Sequence, residues 1–268
     1  MSIITSHQHQ TARHFRFPKW AQRAAAPIVI LLVWEAASRV GLIPPRILAA
    51  PSEVAGTFWG MIISGELGAN LLVSLGRVLI GLSISIILGT SLAIASGLSR
   101  FGELAIDGPM QMLRTMPFLA LIPLFILWFG IGETPKIALV ALGGTFPIYL
   151  TLYSGIRSVD AKLVEAANCF GLSHSDLIWN VILPGSLPSF LLGLRYALGV
   201  SWLSLVVAEQ INASAGLGYL IMNARDFMRT DVIVVCLIVY SLLGLGTDLL
   251  VRTLENRALA WRPSFIRS

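Results

Sequence analysis

The stretch VLIGLSISIILGTSLAIASGLS, residues 78–99, decides the fold class. It sets 22 uncharged residues between Arg77 and Arg100. A helix needs ~20 largely apolar residues to cross a hydrocarbon core of ~30 Å. Within the stretch Gly81, Ser85, Gly89, Ala93 and Gly97 recur at every fourth position and so share one helix face. Such a stripe lets membrane helices bring their backbones close. The stripe is expected to be a helix-packing surface, either within the chain or between subunits.

Working outward, the pattern repeats. There are 18 uncharged residues between Arg114 and Glu133, 20 between Lys136 and Arg157, and 16 between Asp231 and Asp248 with an apolar extension through Val251. Two more apolar runs hold charges: 24–40 holds Glu35, with Arg39 near its end, and 187–208 holds Arg195. The reading is an all-α membrane protein with six transmembrane helices, at about 24–43, 74–97, 113–130, 136–156, 187–208 and 232–251. Composition agrees. The hydrophobic fraction is 56%, the charged fraction 12% and the mean hydropathy +0.79, whereas soluble domains carry ~25% charged residues. Disordered chains lack these apolar residues, and two cysteines, Cys169 and Cys236, cannot staple 268 residues. Barrel strands would alternate apolar and polar residues, and these runs do not. The first 23 residues are basic without an apolar core, so the run after them reads as a retained first membrane helix.

Lysine and arginine counts set the orientation. With both termini cytoplasmic, twelve basic residues fall inside: four in the N-terminal tail, Arg100 and Arg114, Arg157 and Lys162, and Arg252, Arg257, Arg262 and Arg267 at the C-terminal end. Six fall outside: Arg39, Arg46, Arg77, Lys136, Arg225 and Arg229. The division is a cytoplasmic tail over 1–23, a first membrane helix and external loop over 24–69, a membrane domain over 70–252, and a second cytoplasmic tail over 253–268. The net charge of +5 then marks topology and attraction to anionic lipid rather than nucleic acid.

Catalytic chemistry is hard to place. No His-Glu-x-x-His or Gly-x-Ser-x-Gly is present, and His7, His9 and His14 lie in the tail. Asp248, after Gly244-Leu245-Gly246-Thr247, lacks a second membrane aspartate to share a proton, and it is expected at the cytoplasmic mouth of the sixth span. None of the three lysines, Lys19, Lys136 and Lys162, lies in a phosphate-binding loop, so any ATP must be held by another subunit. No metal or cofactor site is expected in this chain. Pro117 and Pro123 are expected to break the third span, and Gly143, Gly144 and Pro147 the fourth. Arg195 could snorkel, pair within the bundle or attract an anionic solute on a pathway. Glu209 reads as an interfacial carboxylate.

The most informative segment is the polar loop 157–186. Asp160 can N-cap a short helix running to Phe170, and Gly171 fits the position just past its end. Ser173 and Asp176 form a capping-box-like start to a second helix. Pro184 and Pro188 are expected to end that helix and turn the chain into the fifth span. Glu165-Ala166-Ala167, Gly171 and Val181-Ile182-Leu183-Pro184 follow the spacing Glu-Ala-Ala, three residues, Gly, nine residues, Ile, any residue, Leu-Pro, with valine in the isoleucine place.

That pattern resembles the EAA loop of the permeases of binding-protein-dependent, type I ABC importers, whose permease domain would occupy 70–252. Further stretches resemble the sulfonate, taurine and nitrate branch, among them Phe146-Pro147-Ile148-Tyr149, Gly193-Leu194-Arg195 and Gly216-Leu217-Gly218-Tyr219-Leu220. Met222-Asn223-Ala224-Arg225 and Trp261-Arg262-Pro263 are most similar to the aliphatic sulfonate permeases. The resemblance implies two identical permease chains in the bacterial inner membrane, two cytoplasmic ATPase subunits that bind ATP and Mg, and a periplasmic or lipid-anchored substrate-binding protein. It implies ATPase coupling through Glu165, Ala166, Ala167, Gly171, Val181, Leu183 and Pro184. Taurine, nitrate or another small anion is the alternative cargo. A stand-alone channel or secondary transporter is the alternative from another class, for which the loop match would be a coincidence.

Overall fold

The computed structural model describes residues 19–261. The N-terminal histidines and the tail residues Arg13, Arg16, Arg262 and Arg267 lie outside the described residues. All regular elements among the described residues are helical: α1 (Lys19–Arg39), α2 (Pro51–Ile63), α3 (Glu66–Leu98), α4 (Arg100–Gly102), α5 (Gly108–Thr115), α6 (Ile122–Phe129), α7 (Thr134–Arg157), α8 (Ala161–Cys169), α9 (His174–Leu177), α10 (Leu183–Asn212), α11 (Leu217–Asp226) and α12 (Thr230–Ala258). Four helical stretches are long and apolar enough to cross a bilayer: α3, α7, His174–Ile211 and α12. The pair Arg100–Thr115 and Leu119–Phe129, bent by 88°, makes a fifth. Large apolar side chains such as Leu72, Leu79 and Ile87 on α3 are exposed, as expected of a surface whose solvent is lipid.

The centre is built from α3, α7 and α10, and the small residues decide how close they come. A Cβ on Gly81 would meet Val140, one on Gly89 would meet Ile148 and one on Gly97 would meet Ile156. The constant offset of 59 positions means that α3 and α7 run parallel. Ser85 and Ala93, from the same stripe, are fully buried, and Ser85 Oγ donates to the Ala141 carbonyl at 2.8 Å. The stripe thus packs inside the chain. Because α3 and α7 point the same way, residues 99–133 must carry the chain back to the starting side, which makes the bent pair a crossing. Against α10 the order reverses: Gly144 abuts Ser201 and Gly155 abuts Ser189, so α7 and α10 are antiparallel.

Several expectations are corrected. The helix that carries the second span starts at Glu66, ahead of the expected 74, and runs on through Arg77, which is paired inside the fold. The third is two helices meeting at Pro117 rather than one span over 113–130. The fourth is unbroken. Pro147 sits within α7, where Thr151 Oγ1 donates to its carbonyl, while Gly144 serves contact with Ser85. Pro184 and Pro188 do not end the second loop helix either. A π turn over Ile178–Ile182 leads directly into α10, with the Leu183 N–H donating to the Ile178 carbonyl. The wider turn relieves the clash of a proline ring with the carbonyl one turn earlier. The same device recurs at Glu103–Asp107, just before Pro109.

Candidate functional site

The two ends of the bundle carry different chemistry. At one end α8 is capped as the local sequence predicts: Asp160 Oδ1 accepts from the Lys162 N–H at 2.9 Å. Gly171 follows with φ +76°, a left-handed conformation that side chains with a Cβ resist. Ser173 Oγ then accepts from the Asp176 N–H at 3.2 Å and opens α9. Two caps and a glycine turn fix a helix–turn–helix whose outer face is open. Glu165 and Ala166 are exposed there, as is Pro184, while Val181 and Leu183 are half-buried. Ala167 is different: it is buried against the chain itself, so added bulk would disturb the segment's own fold before it met any partner.

The sequence reading passed over the large apolar side chains of this segment. Leu163, Phe170 and Trp179 are all exposed, Phe170 at 85%. The available signal was their presence in an otherwise polar loop. Exposed aromatic and aliphatic groups beside polar ones are what a docking surface needs, since they bury area on contact and supply specificity at the rim. The adjoining π turn Glu103–Asp107 is tied to α7: Tyr153 Oη donates to Glu103 Oε1 at 2.9 Å and Tyr149 Oη to Asp107 Oδ1 at 3.1 Å. Arg157, where the loop begins, also donates to Glu103 at 3.1 Å, so this turn and the end of α7 are held together by hydrogen bonds.

The opposite end holds a closed network of charge. Arg77 Nη1 donates to Glu209 Oε1 at 2.6 Å and to the Ala215 carbonyl at 2.7 Å, and Nη2 donates to Glu133 Oε1 at 2.8 Å. Lys136 Nζ reaches Glu133 Oε1 at 3.0 Å. Glu209 also accepts from Ser74 Oγ and from the Gly218 N–H at the start of α11, both at 2.8 Å. Its exposure is 1%, so it is an internal carboxylate and not an interfacial one. Two cations and two carboxylates leave no net charge, which is what makes the burial tolerable. The Arg77 guanidinium, reinforced by Lys136, pulls the Glu133 carboxyl down to about 2. The sequence signal was present but dispersed, because Arg77 and Glu209 are 132 positions apart.

Arg195, open to three roles from sequence, is paired with Asp248 between α10 and α12, and Asp248 also accepts from Arg252. It is thus a structural pair near the loop end. Arg114, counted from sequence in a cytoplasmic loop, instead shares a cavity with Gly143, Phe146 and Pro147, the middle of α7. No cluster of side chains able to hold a metal occurs among the described residues.

The family model described as binding-protein-dependent transport system inner membrane component matches residues 81–259. A protein of Escherichia coli (strain K12) bearing the name aliphatic sulfonates transport permease protein SsuC is 52% identical over 250 residues, covering 92% of this chain and 95% of that one. Its namesake in Bacillus subtilis (strain 168) is 43% identical, over 92% and 89%. The taurine transport system permease protein TauC of Escherichia coli (strain K12) is 36% identical, over 87% and 86%. Among solved structures, an amino acid ABC transporter with histidines aligns with a TM-score of 0.63 at 19% identity, covering 75% of this chain and 98% of that one. An inward facing conformation of the MetNI methionine ABC transporter aligns at 0.58 and 18%, over 71% and 97%. At such identities the likeness is one of fold. The chain therefore belongs to the binding-protein-dependent transport system inner membrane components, and is a multi-pass transport permease rather than an enzyme.

Proposed function

We propose that the chain is the permease subunit of an ATP-driven importer carrying an aliphatic sulfonate across the bacterial inner membrane. The observation that carries this reading is the 52% identity to a named aliphatic sulfonate permease across 92% of the chain. The open helix–turn–helix at Glu165–Pro184 supports the coupling role. Glu165 offers a charge to a basic ATPase residue, Ala166 allows close seating, and Gly171 sets the angle between α8 and α9. A cytoplasmic ATPase binds ATP and Mg, and its closure moves this segment, and through the π turns and α7 the bundle. Two permease copies, two ATPase subunits and one binding protein complete the complex.

Six spans with both termini cytoplasmic fit the directions of the helices. The far end of α1 meets α2 through Glu35 and Ser52, on the side where α12 begins with Thr230 bonded to the Pro45 carbonyl. Moving Arg114, Arg77 and Lys136 into the bundle leaves eleven basic residues inside against four outside, so the orientation stands.

The test is reconstitution in liposomes with the ATPase and the binding protein. ATP-dependent uptake of a labelled alkanesulfonate is expected, and omission of either partner should abolish it. Uptake without the ATPase would indicate a channel. A complex that carries taurine or nitrate but no alkanesulfonate would overturn the cargo assignment.

A further inference from the structure

Cations set within the membrane helices are expensive unless neutralised, and an unpaired one points to function. In this chain Arg77 and Lys136 are neutralised by Glu133 and Glu209, and Arg195 by Asp248. Arg114 differs. Among the described residues it has no ion pair and no hydrogen-bond partner, and its side chain is exposed. It stands at the end of α5, where the chain bends at Pro117, opposite the middle of α7. Thr145 is eleven residues from the start of α7, a depth of ~17 Å at 1.5 Å per residue.

Arg114 is on the wall of a cavity of about 130 Å³. The other walls are mostly apolar and include Leu113, Leu121, Leu142, Phe146 and Val200. A wider apolar groove of about 580 Å³ shares Met110, Leu113, Leu142 and Thr145 with it. One unneutralised guanidinium beside an apolar cleft is complementary to a particular chemistry: a monoanionic head on an aliphatic tail. A sulfonate has three acceptor oxygens for the planar donor fork and stays ionised throughout the physiological range. The alkyl chain would lie along Leu142, Phe146 and Val200.

We propose that Arg114 and this cavity form an intramembrane holding site for the transported organic anion, with the head on Arg114 and the chain in the cleft. The proposal rests on the alkanesulfonate reading above. The binding protein selects the solute outside, and this site keeps it from being stranded as a bare anion at mid-depth.

The experiment uses the assembled permease–ATPase complex in nanodiscs of phosphatidylcholine, without binding protein, and measures equilibrium binding of labelled ethane-, butane- and hexanesulfonate. Affinity should rise about fourfold per buried methylene until the cleft is full. Arg114→Gln should weaken binding at least tenfold, with Arg114→Lys between. Leu142→Trp should lower hexanesulfonate binding relative to ethanesulfonate by at least tenfold, and this ratio decides the matter if Arg114→Gln fails to assemble. In liposomes with binding protein, the same variants should lower maximal uptake while half-saturation stays put. Wild-type complex that imports no alkanesulfonate overturns the cargo reading and this proposal with it. Normal import combined with unchanged binding and chain-length ratios in the variants overturns this proposal alone. So does loss, in Arg114→Gln, of phosphatidylglycerol that binds the wild-type complex in a parallel set of nanodiscs containing that lipid, without loss of sulfonate binding, since the site would then be a lipid site.

Discussion

The two ends of the bundle contrast in what they leave unsatisfied. At the end bearing Arg77, Glu133, Lys136 and Glu209, these polar groups are partnered inside the chain, and Glu209 alone takes hydrogen bonds from α3, α11 and α12. At the other end α8 and α9 are well capped, yet Glu165, Phe170 and Trp179 remain exposed. The first region is finished by its own sequence and serves to hold α3, α7, α10 and α11 in register. The second is built rigidly but covered by nothing among the described residues, as suits a surface completed by another subunit.

The contrast can be broken most severely at Glu209. Glu209→Ala would leave Arg77 partly uncompensated in a buried site and strip acceptors from Ser74 and Gly218. Breaking a buried pair costs about 3–5 kcal/mol. The expected outcome is loss of the folded protein from detergent extracts, measured by size-exclusion yield and thermal unfolding, with Glu209→Gln milder. Next in size is Gly89→Leu. Even a Cβ there would stand 2.9 Å from Ile148 Cβ and from the Thr145 carbonyl. Overpacking costs about 1–3 kcal/mol, and more where backbone must shift, so a lowered unfolding temperature is expected. Gly171→Val should cost about 1–3 kcal/mol, but locally, because φ +76° strains a β-branched residue. Insertion should survive, while protease sensitivity of the 157–186 segment should rise. The smallest effect is on pH dependence. Glu133, held at about 2 by Arg77, contributes fully above its ordinary value of 4.5, and the contribution fades as pH falls towards 2. Glu133→Gln should flatten that acid limb and leave stability near neutrality lowered by a constant amount.

Local features were legible in the sequence, and distant pairings were not. Asp160 and Ser173 cap through bonds to residues two and three positions on, so spacing alone revealed them. The period-four stripe revealed a packing face because helix geometry is local too. Arg77 was misread as the edge of a span because its neutralising partner Glu209 comes from another helix. Pro184 was misread as a stop because a π turn, which no composition rule marks, absorbs the missing N–H. Arg114 was placed in a loop because nothing nearby in sequence announces that the helix after Gly102 enters the bundle before it bends.

The central claim is that the open segment transmits the action of an ATPase, and the most direct measurement is substrate-stimulated ATP hydrolysis by the reconstituted complex. Glu165→Lys and Ala166→Arg alter only exposed positions of α8, so the bundle should insert normally in both. The account predicts that each variant either releases the ATPase in a pull-down or retains it without stimulation by loaded binding protein. Normal ATPase capture together with normal stimulation and uptake in both variants would contradict it.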